Sequence, residues 1–228
     1  MSRNSRTQQP VTSPPRTASL KKLELASIQP NPPLDYTLAL DPSHRYLAER
    51  GLIAETVAEF GVGYCPTGPL AGRIAIPIHD GRGELVAYAG RWPGQPPPRQ
   101  SKYKFVHSQW KGLEVFNLYR VLQQPVGLPL LVVQGFFDVM KLWQLGFRRV
   151  VALMGNELTL AQLQRILWHY PPPNPIVMLF DENDAGRWGR ERALHLLCPH
   201  TFVRSVEFAQ EGDRPEMLTA KELAAVYH

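Results

Sequence analysis

Cysteine is scarce in this 228-residue chain: there are two, Cys65 and Cys198, and no Cys-x-x-Cys pair. Two thiols cannot build a zinc site by themselves, and so sparse a usage fits a reducing compartment better than a disulfide scaffold. Long apolar runs are also missing, since nothing approaches the roughly 18–20 residues that a membrane span requires. The N-terminus lacks the apolar core of a secretory signal, so the expected location is the cytoplasm. Acids are absent from residues 1–22, which hold five bases, Arg3, Arg6, Arg16, Lys21 and Lys22. No internal repeat is present.

What is there suits a soluble globular protein. Hydrophobic residues make up 44% and charged residues 20%, and the length allows one large or two small domains with a sizeable core. The net charge is +5 and the isoelectric point is near 9.3, a balance that invites a nucleic-acid partner. Its distribution is more telling. Outside the first 22 residues bases and acids are equal in number, yet residues 70–120 carry eight bases against three acids. The globular part is thus polarised into a basic middle and an acidic C-terminal half. The basic middle is expected to form one continuous face turned toward the acids.

Residues 1–33, rich in Ser, Thr, Gln, Asn and Pro, read as a disordered basic tail. Order is expected from near Asp35. Ser43 is placed to cap a helix bearing Tyr46 and Leu47 that ends at Gly51, and Ala54–Phe60 makes a second helix. The runs Gly72–His79 and Glu84–Gly90, separated by Asp80-Gly81-Arg82-Gly83, predict an antiparallel hairpin. Pro77 predicts an edge position or a bulge. Four prolines within 93–99 mark a loop. From Leu128 the rhythm changes. Apolar runs at Leu130–Val133, Val150–Leu153, Ile176–Phe180 and Phe202–Phe208 alternate with helical stretches at Phe137–Leu145, Leu160–His169 (capped by Thr159) and Ala185–Leu197. A final helix is expected over Ala220–Tyr227. Alternation of this kind predicts a parallel sheet with flanking helices, whose ligands bind at the carboxyl ends of its strands.

One such end is Asp181-Glu182-Asn183-Asp184-Ala185-Gly186. Clustered carboxylates repel, so a strand end carrying them invites a cation, and magnesium takes oxygen ligands. Capping of the next helix by Asp181 or Asp184 accounts for the same residues. Spacing leaves both readings open. His44, His79 and His107 show no ligand spacing and read as structural or surface residues. Gly135 and Gly155 follow strands and permit close turns.

Gly-Arg-Ile-Ala-Ile-Pro-Ile (72–78), Gly-Glu-Leu-Val-Ala-Tyr-Ala-Gly-Arg (83–91), Lys-Tyr-Lys (102–104), Trp-Lys-Gly (110–112), Val-Val-Gln-Gly-Phe-Phe-Asp-Val (132–139), Ala-Leu-Met-Gly (152–155) and Phe-Asp-Glu-Asn-Asp-Ala-Gly (180–186) occur in this order. The series resembles the catalytic core of bacterial, DnaG-type DNA primases from about Tyr46 to Leu218. The resemblance implies an α/β fold with a TOPRIM-type parallel sheet and flanking helices over 128–208. A smaller α+β basic subdomain over 34–127 precedes it, and a C-terminal extension with a helix over 209–228 follows. The family's zinc-binding and helicase-interacting domains have no counterpart in the chain.

The resemblance carries the family's acidic site over unevenly. Its glutamate after the first TOPRIM strand falls on Gln134. The aspartate four residues on is Asp138. Its Asp-x-Asp pair falls on Asp181 and Asn183, and its Asp-Pro-Asp element on Arg214-Pro215-Glu216. Gln134, Asn183 and Arg214 have lost the negative charge. Amide oxygens can still coordinate, but they add no charge and cannot act as general bases. The expectation is therefore weak magnesium binding through Asp138, Asp181 and Glu216, no zinc, and weak or lost primer synthesis. Glu182 and Asp184 are expected to point elsewhere. Arg73, Arg91, Lys102 and Lys111 fall on the stretches that line the family's template groove and are expected to contact phosphates. Tyr103 and Trp110 could stack bases, while Trp92 is expected to pack on the hairpin. The implied partners are single-stranded DNA or RNA, and beyond them a separate zinc-domain protein or a replicative helicase, in DNA replication or the maintenance of a mobile element. Two further readings are an active primase that needs a zinc-domain partner and a non-catalytic module that docks on replication proteins.

Overall fold

The computed structural model describes residues 31–106 and 111–227, without the Lys111 side chain. Two short helices come first, α1 (Arg45–Glu49) and α2 (Ala54–Phe60). His44, rather than Ser43, caps α1. Its Nδ1 accepts the Tyr46 N–H at 3.3 Å, and its ring stacks on Tyr64 with centroids 4.5 Å apart. Ser43 turns back instead, donating its N–H and its hydroxyl to Asp41 Oδ1 at 2.8 and 2.6 Å. This local turn outcompetes the serine cap. Asn31 and its two successors, which composition assigns to the tail, belong to the described region. Asn31 is buried and its amide donates to Glu114 at 3.0 Å. From there onward the chain forms one compact unit.

An antiparallel sheet follows, with strands β1 (Gly63–Cys65), β2 (Arg73–His79), β3 (Leu85–Arg91) and β4 (Tyr103–Val106) in that spatial order. The expected hairpin is β2–β3, with a register shift at Ile78/His79. Pro77 does not lie on an edge strand, but β1 covers β2 only as far as Ala75. At Pro77 the strand is paired on one side, where a missing N–H costs least.

The short helix α3 (Leu118–Val121) leads into the alternating region. There β5 (Leu130–Val133), α4 (Phe136–Gln144), β6 (Val150–Ala152), α5 (Leu160–His169), β7 (Ile176–Leu179), α6 (Asp184–Leu197), β8 (Val203–Val206) and α7 (Ala220–Tyr227) succeed one another. The four strands pair in the order β6-β5-β7-β8, all parallel. Side chains alternate across a strand, and here both faces are covered. Leu131, Val133, Val177 and Leu179 join a core with α4 and the antiparallel sheet. Leu130, Val132, Ile176 and Met178 join a second core with α3, α5 and α6. Burial on both faces explains why these strands read as unbroken apolar runs. Among the described residues no helix is long and apolar enough to cross a membrane.

Candidate functional site

The carboxyl ends of β5 and β7 open on a cavity of about 320 Å³, closed on the other side by Arg50, by β3–β4 residues and by the turn Pro215–Met217. Val133 leads into Gln134-Gly135 and α4. Gly135 is the helix's N-cap residue, and its N–H donates to Asp138 Oδ2 at 3.0 Å. A β-carbon at Gly135 would lie 2.6 Å from that oxygen, so glycine is what lets the carboxylate fold back. Asp138 Oδ1 accepts the Glu216 N–H at 3.3 Å, which ties the Pro215 turn to α4. Burial, then the Glu216 and Asp181 carboxylates, push the Asp138 carboxyl up to about 8 against these two backbone bonds.

Gln134 and Asp181 touch: Gln134 Oε1 accepts the Asp181 N–H at 3.0 Å, bridging the ends of β5 and β7. The Gln134 amide reaches Asn156 Oδ1 at 3.4 Å. Asn156 lies two residues beyond Met154, which takes a left-handed φ of 60° on the cavity wall. Asn183 is the cap of α6, its Oδ1 accepting the Gly186 N–H at 2.9 Å. The cap is thus neither Asp181 nor Asp184, because Asn183 alone sits in the extended backbone just before the first turn. A β-carbon at Gly186 would lie 1.9 Å from the Asp181 carbonyl oxygen, so the helix start is pressed directly against the strand end.

Both amide oxygens that could have faced a metal thus already serve the backbone. The acids are answered as well. Glu216 pairs with Arg50 and lies 3.8 Å from Arg214 Nη1. Burial pushes the Asp181 carboxyl up, while Arg214 and Lys102 pull it down and Glu216 adds to the rise. Glu182 and Asp184 do turn away, as expected. Glu182 pairs with Arg190 at 3.1 Å and Arg187 at 3.2 Å, and Asp184 pairs with Arg187 at 2.6 Å. Among the described residues no three His, Cys, Asp or Glu side chains are grouped so as to hold a metal ion. Magnesium takes anionic oxygens in near-octahedral order, and this donor set, spent in part, leaves it the carboxylates of Asp138, Asp181 and Glu216.

The basic residues divide. Arg91 lines the cavity, donating Nε to the Tyr46 hydroxyl at 2.7 Å and Nη1 to the Tyr103 hydroxyl at 3.0 Å. Lys102 lines it too. Its ammonium is held below the usual lysine range by burial and then by Arg91, Arg214 and Arg50. Arg73 does not reach the cavity. It is 3% exposed, stacks on Trp92 and donates to the carbonyls of Gly90, Ser101 and Lys102 at 3.0–3.4 Å. Lys111 and Trp110, and likewise His107, fall outside what is described. Nor does the basic middle form one face, since Arg120 is buried against Glu59 and Arg82 pairs with Asp80. Two cavity cations, Arg50 and Arg214, come from outside that stretch. Nothing local in the sequence singles out Arg50, because its partner Glu216 lies 166 positions away.

Residues 131–218 match the Toprim-like family. The DNA primase of Pseudomonas aeruginosa is 29% identical over 78% of this chain and 32% of its own length. That of Escherichia coli is 27% identical over 79% of this chain and 37% of its own length. The chain therefore spans about a third of the curated relatives it matches. A DNA primase domain from Pseudomonas aeruginosa superposes with a TM-score of 0.67 at 28% identity, covering 78% of this chain and 67% of that one. A DnaG primase catalytic domain bound to single-stranded DNA superposes at 0.66 with 26% identity, covering 79% and 68%. Over 78–79% of its length this chain is similar to the catalytic core of DnaG-type bacterial primases, and the Toprim-like match at residues 131–218 lies within that region.

Proposed function

We propose that this chain is a primase-like protein that binds single-stranded nucleic acid in DNA replication or mobile-element maintenance, in the cytoplasm, and that its own primer synthesis is weak or lost. One observation carries the reading: most of the side-chain oxygens at the positions of the family's acidic site are already engaged. Gln134 and Asn183 accept backbone N–H groups, and Glu216 is held by Arg50. Phosphoryl transfer of the family's kind depends on charge stabilisation by metals at the reacting oxygens. A site that holds magnesium weakly through Asp138, Asp181 and Glu216 supplies little of it. Binding of a strand is supported by Arg91 and Lys102 on the cavity wall, with Lys111 as a further candidate. The aromatic Tyr103 lies beside them as a stacking surface, its hydroxyl held by Arg91.

The test is fluorescence anisotropy with a labelled single-stranded oligonucleotide over a salt series. Affinity falls as salt rises, through counterion release, and Lys102→Glu with Lys111→Glu lowers it by about tenfold or more, since each phosphate contact is an ionic one. Undiminished affinity in that double variant refutes the groove. A second reading, an active primase completed by a zinc-domain partner or a helicase, has one point in its favour: Asp138, Asp181 and Glu216 still share one cavity. Ribonucleotide incorporation on a single-stranded template, with and without such a partner, separates the two.

A further inference from the structure

The cavity's charge is distributed in an unusual way for a site expected to attract a metal. Four cations, Arg50, Arg91, Lys102 and Arg214, share its lining with three acids, Asp138, Asp181 and Glu216. Of the four, Arg50 has the close carboxylate, Glu216. Arg91 spends two of its nitrogens on neutral phenols. Arg214 has a marginal contact to Glu216 at 3.8 Å, and its Nε is buried without a hydrogen-bond partner among the described residues. Among the described residues no carboxylate lies within ion-pair distance of Lys102. Arg91, Lys102 and Arg214 thus share one space in which Asp181 acts on two of them without a close ion pair to either, and like charges so placed repel until an anion enters.

We propose that this cavity binds phosphate oxygens directly, with Arg214, Arg91 and Lys102 supplying the positive charge, so that the binding needs no divalent cation. Guanidinium forks match the paired oxygens of a phosphate, and an ammonium adds a point charge beside them. The volume of about 320 Å³ gives room for a chain of phosphate groups. Arg214 stands where a metal's charge would otherwise be needed, next to Asp181 and Glu216. The inference concerns the cavity of the nucleic-acid reading and rests on that reading only for where the phosphate comes from, a free nucleotide or a strand end.

The experiment is calorimetry of the full chain with inorganic tripolyphosphate, in EDTA and in magnesium. Binding in EDTA should be at least as tight as in magnesium, which complexes the free anion. Arg214→Gln and Lys102→Gln should each weaken it by about tenfold, the worth of one charge-assisted contact, and Arg214→Lys should recover part of the loss. No binding in EDTA, binding that magnesium tightens tenfold or more, or full affinity in Arg214→Gln overturns the proposal. The first two outcomes require no variant. Competition by ATP assigns the phosphate to a free nucleotide. Competition by a 5′-phosphorylated but not a dephosphorylated oligonucleotide assigns it to a strand end. Either supports the proposal, and competition by neither overturns it. Anisotropy with the dephosphorylated oligonucleotide is read in parallel. If that strand binds and tripolyphosphate does not, the nucleic-acid reading stands and this inference falls. If tripolyphosphate binds and the strand does not, the inference stands and the nucleic-acid reading falls.

Discussion

Two acidic clusters adjoin in sequence at Asp181-Glu182 and are held in different ways. Asp138, Asp181 and Glu216 face the cavity, where two backbone N–H groups hold Asp138, Arg50 pairs with Glu216, and Arg214 and Lys102 act on Asp181 at longer range. Glu182 and Asp184 flank Asn183 and are answered by Arg187 and Arg190, on the helix they introduce. Nearness in sequence therefore does not let the second cluster make up for the charge missing from the first. Position 183 separates them: its side chain caps α6, and the residues on either side are carried to another face.

The contrast between the clusters can be broken most forcefully at Glu216. Glu216→Gln leaves Arg50, whose side chain is 17% exposed, without its carboxylate. Removing one partner of such a largely buried pair should cost about 3 kcal/mol in urea unfolding. An unchanged midpoint would mean that the cavity acids are no more tightly held than surface ones. Next in size is restoration of charge by Gln134→Glu, Asn183→Asp and Arg214→Asp together. Glutamate can accept the same Asp181 N–H, with the Asn156 amide turned to donate to it, and aspartate caps a helix as well as asparagine. Magnesium affinity by calorimetry should rise by about 100-fold, the equivalent of roughly 2.7 kcal/mol, with a parallel gain in ribonucleotide incorporation. Wild-type binding and synthesis equal to the restored protein's would remove the idea of a spent donor set.

A smaller effect sharpens the same contrast through pH. The Asp138 carboxyl is raised from 3.8 to about 8 in the folded protein. The unfolded chain therefore releases this proton first, and folding is progressively disfavoured as pH rises across that interval. Asp138→Asn cannot ionise, so its stability relative to wild type, measured by urea unfolding in EDTA, should improve steadily from acid to mildly alkaline pH. A pH-independent difference would show that Asp138 is ionised throughout. The smallest effect lies in the other cluster. Asp184 is fully exposed, and Asp184→Asn should leave both the unfolding midpoint and magnesium affinity unchanged, because solvent screens such a pair. A loss of metal binding there would merge the two clusters into one site.

Local pattern was enough for most elements. Leu130–Val133, Leu160–His169 with its Thr159 cap and Ala220–Tyr227 lie where periodicity and capping place them. The misplacements are at caps and cations. Ser43 lost α1 to His44 because Asp41 held it, and Asp181 and Asp184 lost α6 to Asn183. Arg73 looked like a groove residue because its charge is visible in the sequence, whereas the carbonyls that absorb it come from three other positions.

The alternation of strands and helices, and the parallel sheet they form, are legible in residue order alone, because hydrophobic period and end signals act over a few residues and need no partner. Equally legible is that Gln134, Asn183 and Arg214 carry no negative charge. What those residues do instead depends on the folded chain: Gln134 joins two strand ends, Asn183 caps a helix, and Arg214 and Arg50 bring positive charge to the acids. Charge balance in a cavity is a sum over residues far apart in the chain, and no local pattern records which of them will meet.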